Sequence, residues 1–114
     1  MNRAELFELH KETCERGLEL MRKKNRDYAH DESSPFTNLR GSAVVGVNPL
    51  QGVLVRCIDK FSRITTFIEK GDLLVVNESV EDSIVDIINY MVILKGMIIE
   101  DARIREFEEE EDEI

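Results

Sequence analysis

The sequence predicts an all-α fold, a small bundle of about three main helices with one long ordered loop, completed by homo-oligomerisation. Two observations lead there. Apolar residues recur at helical spacing in three long stretches, and the breaks between them carry helix start and stop residues, Asn48-Pro49 and Gly71 among them. With 114 residues, 42% hydrophobic and 34% charged, two prolines and six glycines, the chain suits one helix-rich domain.

The first helix is expected from about Arg3 to Lys24. Leu6, Leu9, Thr13, Gly17, Leu20 and Met21 lie on one face, with Phe7, Cys14 and Leu18 beside it. Residues 25–48 lose the period and gather Pro35, two glycines and a cluster of Asp, Glu, Ser and Asn. That reads as a long functional loop, tied down by Tyr28, Phe36 and the apolar run 43–45. Asn48 as N-cap and Pro49 in the first turn open the second helix. Its apolar face, Leu50, Leu54, Cys57, Ile58, Phe61, Ile64 and Ile68, runs to Lys70, and Gly71 stops it. A short link leads to a third helix that starts near Asn77 or Ser79, with Asp82 placed for a capping box on Ser79, and ends near Arg105. From Tyr90 to Ile99 this helix is apolar almost all round, more than three helices can enclose, hence the expected dimer or higher oligomer.

Residues 1–105 therefore form the domain, and 106–114 an acidic tail expected to be disordered. That tail holds seven acids and no base, so of the net charge of −9 the remainder carries only −2. So acidic a chain is a poor binder of duplex nucleic acid. The N-terminal residues lack the apolar run of a signal peptide, and the apolar stretch 84–99 is broken by Asp86, Asn89 and Lys95. Cys14 and Cys57, without a CxxC pattern, read as small core residues of a reducing cytoplasm.

Chemistry concentrates on the third helix. Glu78, Asp82, Asp86 and Asn89 fall within a sector of roughly 80°, opposite Val80, Ile84, Ile87, Met91 and Leu94. Carboxylates so aligned repel one another unless a cation, a proton or a basic partner holds them. Arg56, Lys60 and Arg63 form a cationic row on the second helix, with Asp59 alongside. One reading is an inter-helix ladder in which Lys60 and Arg63 pair with Asp82 and Asp86. The other is a phosphate site, with Lys60 and Arg63 on phosphate oxygens and Asp59, Glu78, Asp82 and Asp86 around Mg²⁺, the one cofactor such a set suits. Asn89 would offer an amide to the metal or a base edge. Arg22, Lys23, Lys24 and Arg26 cluster at the end of the first helix, where they serve either its dipole or a ligand. Tyr28 and Phe36 are placed to stack on a base or to anchor the loop, and Asn25, Asp27 and Asn38 to form turns or read base edges. Arg40 completes the candidate ligand set. His10 and His30 do not suggest a zinc site, and no Gly-rich phosphate loop is present.

The segments Lys24-Asn25-x-Asp27-Tyr28, Asp59-Lys60-x-x-Arg63 and Glu78-Ser79-x-x-Asp82-x-x-x-Asp86-x-x-Asn89-Tyr90 resemble those of the small phage and bacterial family called nucleotide-modification-associated domain 1. The final helix is also similar to the last motif of MazG-type all-α nucleotide pyrophosphatases, which hold Mg²⁺ with ExxE and ExxD helices. Here Lys60 and Arg63 stand where the second helix would supply acids, and Ser83 stands where ExxD would need Glu. The resemblance implies a phage-type nucleotide-binding protein that recognises phosphate and base and sequesters a host nucleotide signal in the host cytoplasm. The alternatives are a Mg²⁺-dependent hydrolase of a nucleoside polyphosphate or modified deoxynucleotide, and an acidic interaction protein.

Overall fold

The computed structural model describes residues 1–28, 35–71 and 79–113, apart from the side chains of 26–28. Every described element is helical: α1 (Arg3–Tyr28), a 3₁₀ helix (Leu39–Val45), α2 (Pro49–Lys70) and α3 (Val80–Asp112). The fold is therefore all-α, as the periodicity required.

Local chemistry sets the helix ends. Asn2 and Glu5 cap α1 reciprocally: Glu5 N donates to Asn2 Oδ1 at 2.8 Å, and Asn2 N donates to Glu5 Oε2 at 3.1 Å. Leu50 N donates to Asn48 Oδ1 at 2.9 Å, and Pro49 fills the first turn of α2. Gly71 closes α2 at φ 71°, a left-handed conformation that favours glycine, and returns its N–H to Phe67 O at 2.7 Å. The capping box on α3 is formed, with Asp82 N donating to Ser79 Oγ at 3.2 Å and Ser79 N to Asp82 Oδ2 at 3.3 Å.

Two helices run further than the sequence suggested. α1 continues four residues past Lys24, because Asn25 to Tyr28 contain neither Gly nor Pro to stop it. α3 continues through Asp112 across what reads as a disordered tail. Residues 106–113 are exposed, so no packing holds them, and the helix propensity of Glu carries the turn.

α3 is the hub. Among the described residues, α1 and α2 each pack on α3 and not on one another, and the 3₁₀ helix packs on α2. Gly17 allows the α1–α3 approach: a Cβ there would lie 2.9 Å from Asn89 Oδ1, while Asn89 Nδ2 donates to Gly17 O at 3.0 Å. The 35–45 segment is held by Phe36 and Arg40. The Phe36 ring lies over Gly96, where a Cβ would sit 2.8 Å from Cζ. Arg40 bridges Glu100 at 2.8 Å and Asp101 at 3.1 Å. The apolar run 43–45 does not tie the segment down, since Val44 and Val45 are exposed.

The core is small. Among the described residues, the buried apolar side chains are Val53, Cys57, Val85 and Met97. Cys14 is exposed and Cys57 alone takes the expected core place, its thiol pKa pushed up by burial. The first half of α3 is inverted relative to its apolar pattern. Ser83, Asp86 and Asn89 are buried, whereas Ile84 and Met91, on the apolar side, are 42% and 39% exposed. On α2, Leu54, Ile58, Phe61 and Ile68 are exposed as well. No single described helix is long and apolar enough to cross a membrane.

Two outcomes are expected. Gly17→Ala should lower stability by about 1–2 kcal/mol, because the overpacking against Asn89 outweighs the ~1 kcal/mol gain in helix propensity; chemical denaturation measures it. Ser79→Ala should cost about 1 kcal/mol through loss of the α3 cap. The Asp82 carboxyl lies below its ordinary value of 3.8, first through the Ser79 N–H and then through Arg16. Its contribution is thus complete above that value and lost as pH falls through the folded one. Asp82→Asn should flatten the acid side of the stability–pH curve.

Candidate functional site

A cavity of about 530 Å³ opens where α1, α3 and the 35–39 segment meet, with α2 contributing one residue. Met21, Lys24 and Asn25 come from α1, Pro35, Phe36, Asn38 and Leu39 from the segment, and Arg56 from α2. α3 contributes Asp86, Asn89, Tyr90, Val92, Ile93 and Gly96. The lining is mostly apolar, with two aromatic residues, Phe36 and Tyr90, and Lys24 meets Asp86 within it. Asn25 Nδ2 donates to Pro35 O at 3.0 Å, fixing the rim where α1 meets the segment.

Asp86 organises the charges. It is 8% exposed and takes Lys24 Nζ on Oδ1 at 3.1 Å and Lys60 Nζ on Oδ2 at 3.0 Å. One carboxylate thus faces two ammonium groups, and Arg56 adds a third cation to the wall. Lys24 and Arg56 line the cavity itself, and Lys60 meets Asp86 from α2. No buried side-chain nitrogen or oxygen among the described residues lacks a partner.

The sequence placed several residues on this wall: Lys24, Asn25, Phe36, Asn38, Arg56, Asp86 and Asn89 all line the cavity. Lys60 reaches it through Asp86. Phe36 takes the anchoring role on Gly96, and its side chain also lines the cavity. Half of the inter-helix ladder is present, as Lys60–Asp86. Arg63 instead pairs within α2, its Nε donating to Asp59 Oδ2 at 3.1 Å. Asp82 is held by Arg16, which also pairs with Glu81, and these acids raise the guanidinium pKa. Arg40 is engaged with Glu100 and Asp101 and does not line the cavity. The side chains of Asp27 and Tyr28, and the whole of Glu78, lie outside the described residues.

Of the carboxylates singled out for Mg²⁺, the three that are described each have another partner: Asp59 pairs with Arg63 on α2, Asp82 closes a helix cap, and the two oxygens of Asp86 each meet a lysine. Among the described residues no three His, Cys, Asp or Glu side chains are grouped as metal ligands. The sequence reading missed Arg16 and the wall residues Met21, Leu39, Tyr90, Ile93 and Gly96. Tyr90 had a signal, as the aromatic next to Asn89, but it was absorbed into the apolar run that follows.

No family model, curated protein or solved structure matches this chain. The site therefore rests on its own geometry.

Replacing Asp86 by Ala should take from Lys24 and Lys60 the buried carboxylate that they share. The expected loss is about 2 kcal/mol, below the ~3–5 kcal/mol of a fully buried pair, because the Lys24 side chain is 44% exposed. Urea denaturation at low and high salt checks it, with the loss smaller at high salt.

Proposed function

We propose that the cavity binds a nucleotide, its phosphate toward Lys24, Lys60 and Arg56 and its base against Phe36 and Tyr90. The observation that carries this reading is the pair of cations, Lys24 and Arg56, on the wall of a cavity that Phe36 and Tyr90 also line, in a chain of net charge −9. Phosphate accepts charge-assisted hydrogen bonds from Lys and Arg, and Arg56 can offer two in parallel. An aromatic ring offers any base a stacking surface worth ~1–3 kcal/mol. The amides of Asn25 and Asn38 stand at the same wall to meet base edges.

Sequestration fits the site better than hydrolysis. Both Asp86 oxygens serve lysines, and Asp82 serves Arg16 and the α3 cap, so neither is presented to a metal and an attacking water. Lys60 and Arg63, standing where a MazG-type helix would supply acidic metal ligands, support the same reading. The described residues that line the cavity come from α1, the 35–39 segment, α2 and α3 of one chain.

Calorimetric titration with a panel of nucleoside mono-, di- and triphosphates and cyclic nucleotides tests the proposal. At least one nucleotide should bind, with affinity reduced tenfold or more in Lys24→Ala and in Arg56→Ala and weakened by added salt. Gly96→Ala, which displaces the Phe36 ring, should weaken binding while leaving the helical circular-dichroism signal intact. Affinity indifferent to all three substitutions would place the ligand elsewhere and end this assignment.

A further inference from the structure

We infer that Arg40, which does not line the cavity, is the positioning residue that holds the Phe36 ring on the cavity wall. The wall residues Pro35, Phe36, Asn38 and Leu39 come directly before it in the chain. Arg40 N donates to Phe36 O at 3.0 Å, so the two residues stand one helical turn apart and move together. Their partners on α3 are spaced alike. Phe36 abuts Gly96, and Arg40 reaches Glu100, one turn further along the same helix. Asp101 adds a second carboxylate at 3.1 Å. Ring and guanidinium thus meet α3 at two successive points in matching register.

The charged point is the one that fixes this register. Gly96 gives the ring room but no side chain to interlock with, so the ring contact alone does not set where along α3 the segment sits. An ion pair with hydrogen-bond geometry does. The Arg40 side chain is 28% exposed and its acids 43% and 34%, and pairs so open to water add little to global stability. The effect of this pair therefore falls on the placement of the ring and on what the ring binds. At the other end of the wall, Asn25 Nδ2 donates to Pro35 O at 3.0 Å, a neutral contact. A single Arg40 nitrogen, Nη2, serves both acids. A lysine ammonium can take its place, whereas an uncharged glutamine cannot. The inference takes its ligand from the nucleotide reading, in which Phe36 faces the base; the placement of the ring does not depend on that reading.

NMR and calorimetry on the full chain test it with Arg40→Gln, Arg40→Lys and the double variant Glu100→Gln/Asp101→Asn. In the wild type the Phe36 ring current should displace the Gly96 α-proton resonances from their ordinary positions. Arg40→Gln and the double variant should each remove at least half of that displacement, and Arg40→Lys should keep it. The melting temperature should fall by less than about 4 °C in each, as for a partly exposed ion pair. In titrations with nucleoside mono-, di- and triphosphates and cyclic nucleotides, Arg40→Gln should weaken whichever the wild type binds by about fivefold or more, the range of a lost stacking contact. Arg40→Lys should restore that affinity. Gly96 α-protons unmoved in Arg40→Gln would overturn the inference, and so would wild-type affinity in that variant. A wild type that binds no nucleotide would end the nucleotide reading, while the Gly96 resonances would still decide for or against Arg40.

Discussion

Asp86 is the constraint from which the rest of the architecture follows. It lies on the central helix and receives one lysine from α1 and another from α2, two helices that do not pack on each other. Removing a carboxylate from water is costly, and its attraction to a partner repays that cost only with good geometry and satisfied lone pairs. Two ammonium groups, one on each oxygen, meet that requirement. They also commit the chain to an arrangement in which a charged residue occupies the middle of the helical cluster. The cavity opens beside that charged residue, which lines it together with Lys24 of α1 and Arg56 of α2.

A polar centre displaces apolar residues from the place where a small helical protein would ordinarily bury them. Here they migrate to the far side of α3 and to the neighbouring row of α2. Specificity of packing is then supplied by close approach: Asn89 fits where Gly17 has no side chain, and Phe36 fits over Gly96. Such contacts define one geometry while contributing less burial than a conventional apolar core. The protomer is consequently well specified but thinly insulated, elongated to 59 × 36 × 24 Å.

The helix ends were the most legible part of the sequence, because a cap acts within four residues. Asn48, Pro49, Gly71, Ser79 and Asp82 each do what their chemistry dictates locally. The end of α1 was not legible, since no breaker follows Lys24, nor was the 3₁₀ helix, whose residues have no helical period. Among the site residues, Lys24, Arg56 and Asn89 were recognisable by type and position, and Phe36 as an aromatic in a polar stretch. Partner choice was a different matter. Arg63 turned to Asp59 and Arg40 to Glu100 because pairing depends on how one helix is rotated against another, which a one-dimensional pattern does not encode. For the same reason Ser83, Asp86 and Asn89 of α3 are buried, though periodicity alone would turn Ile84 and Met91 inward.

The hydrogen bond from Asn25 to the carbonyl of Pro35 has a mechanical consequence. It ties α1, at the residue next to Lys24, to the segment that carries Phe36. Cation and ring thus belong to one strapped unit, and a pull on the end of α1 is transmitted to the aromatic side of the cavity.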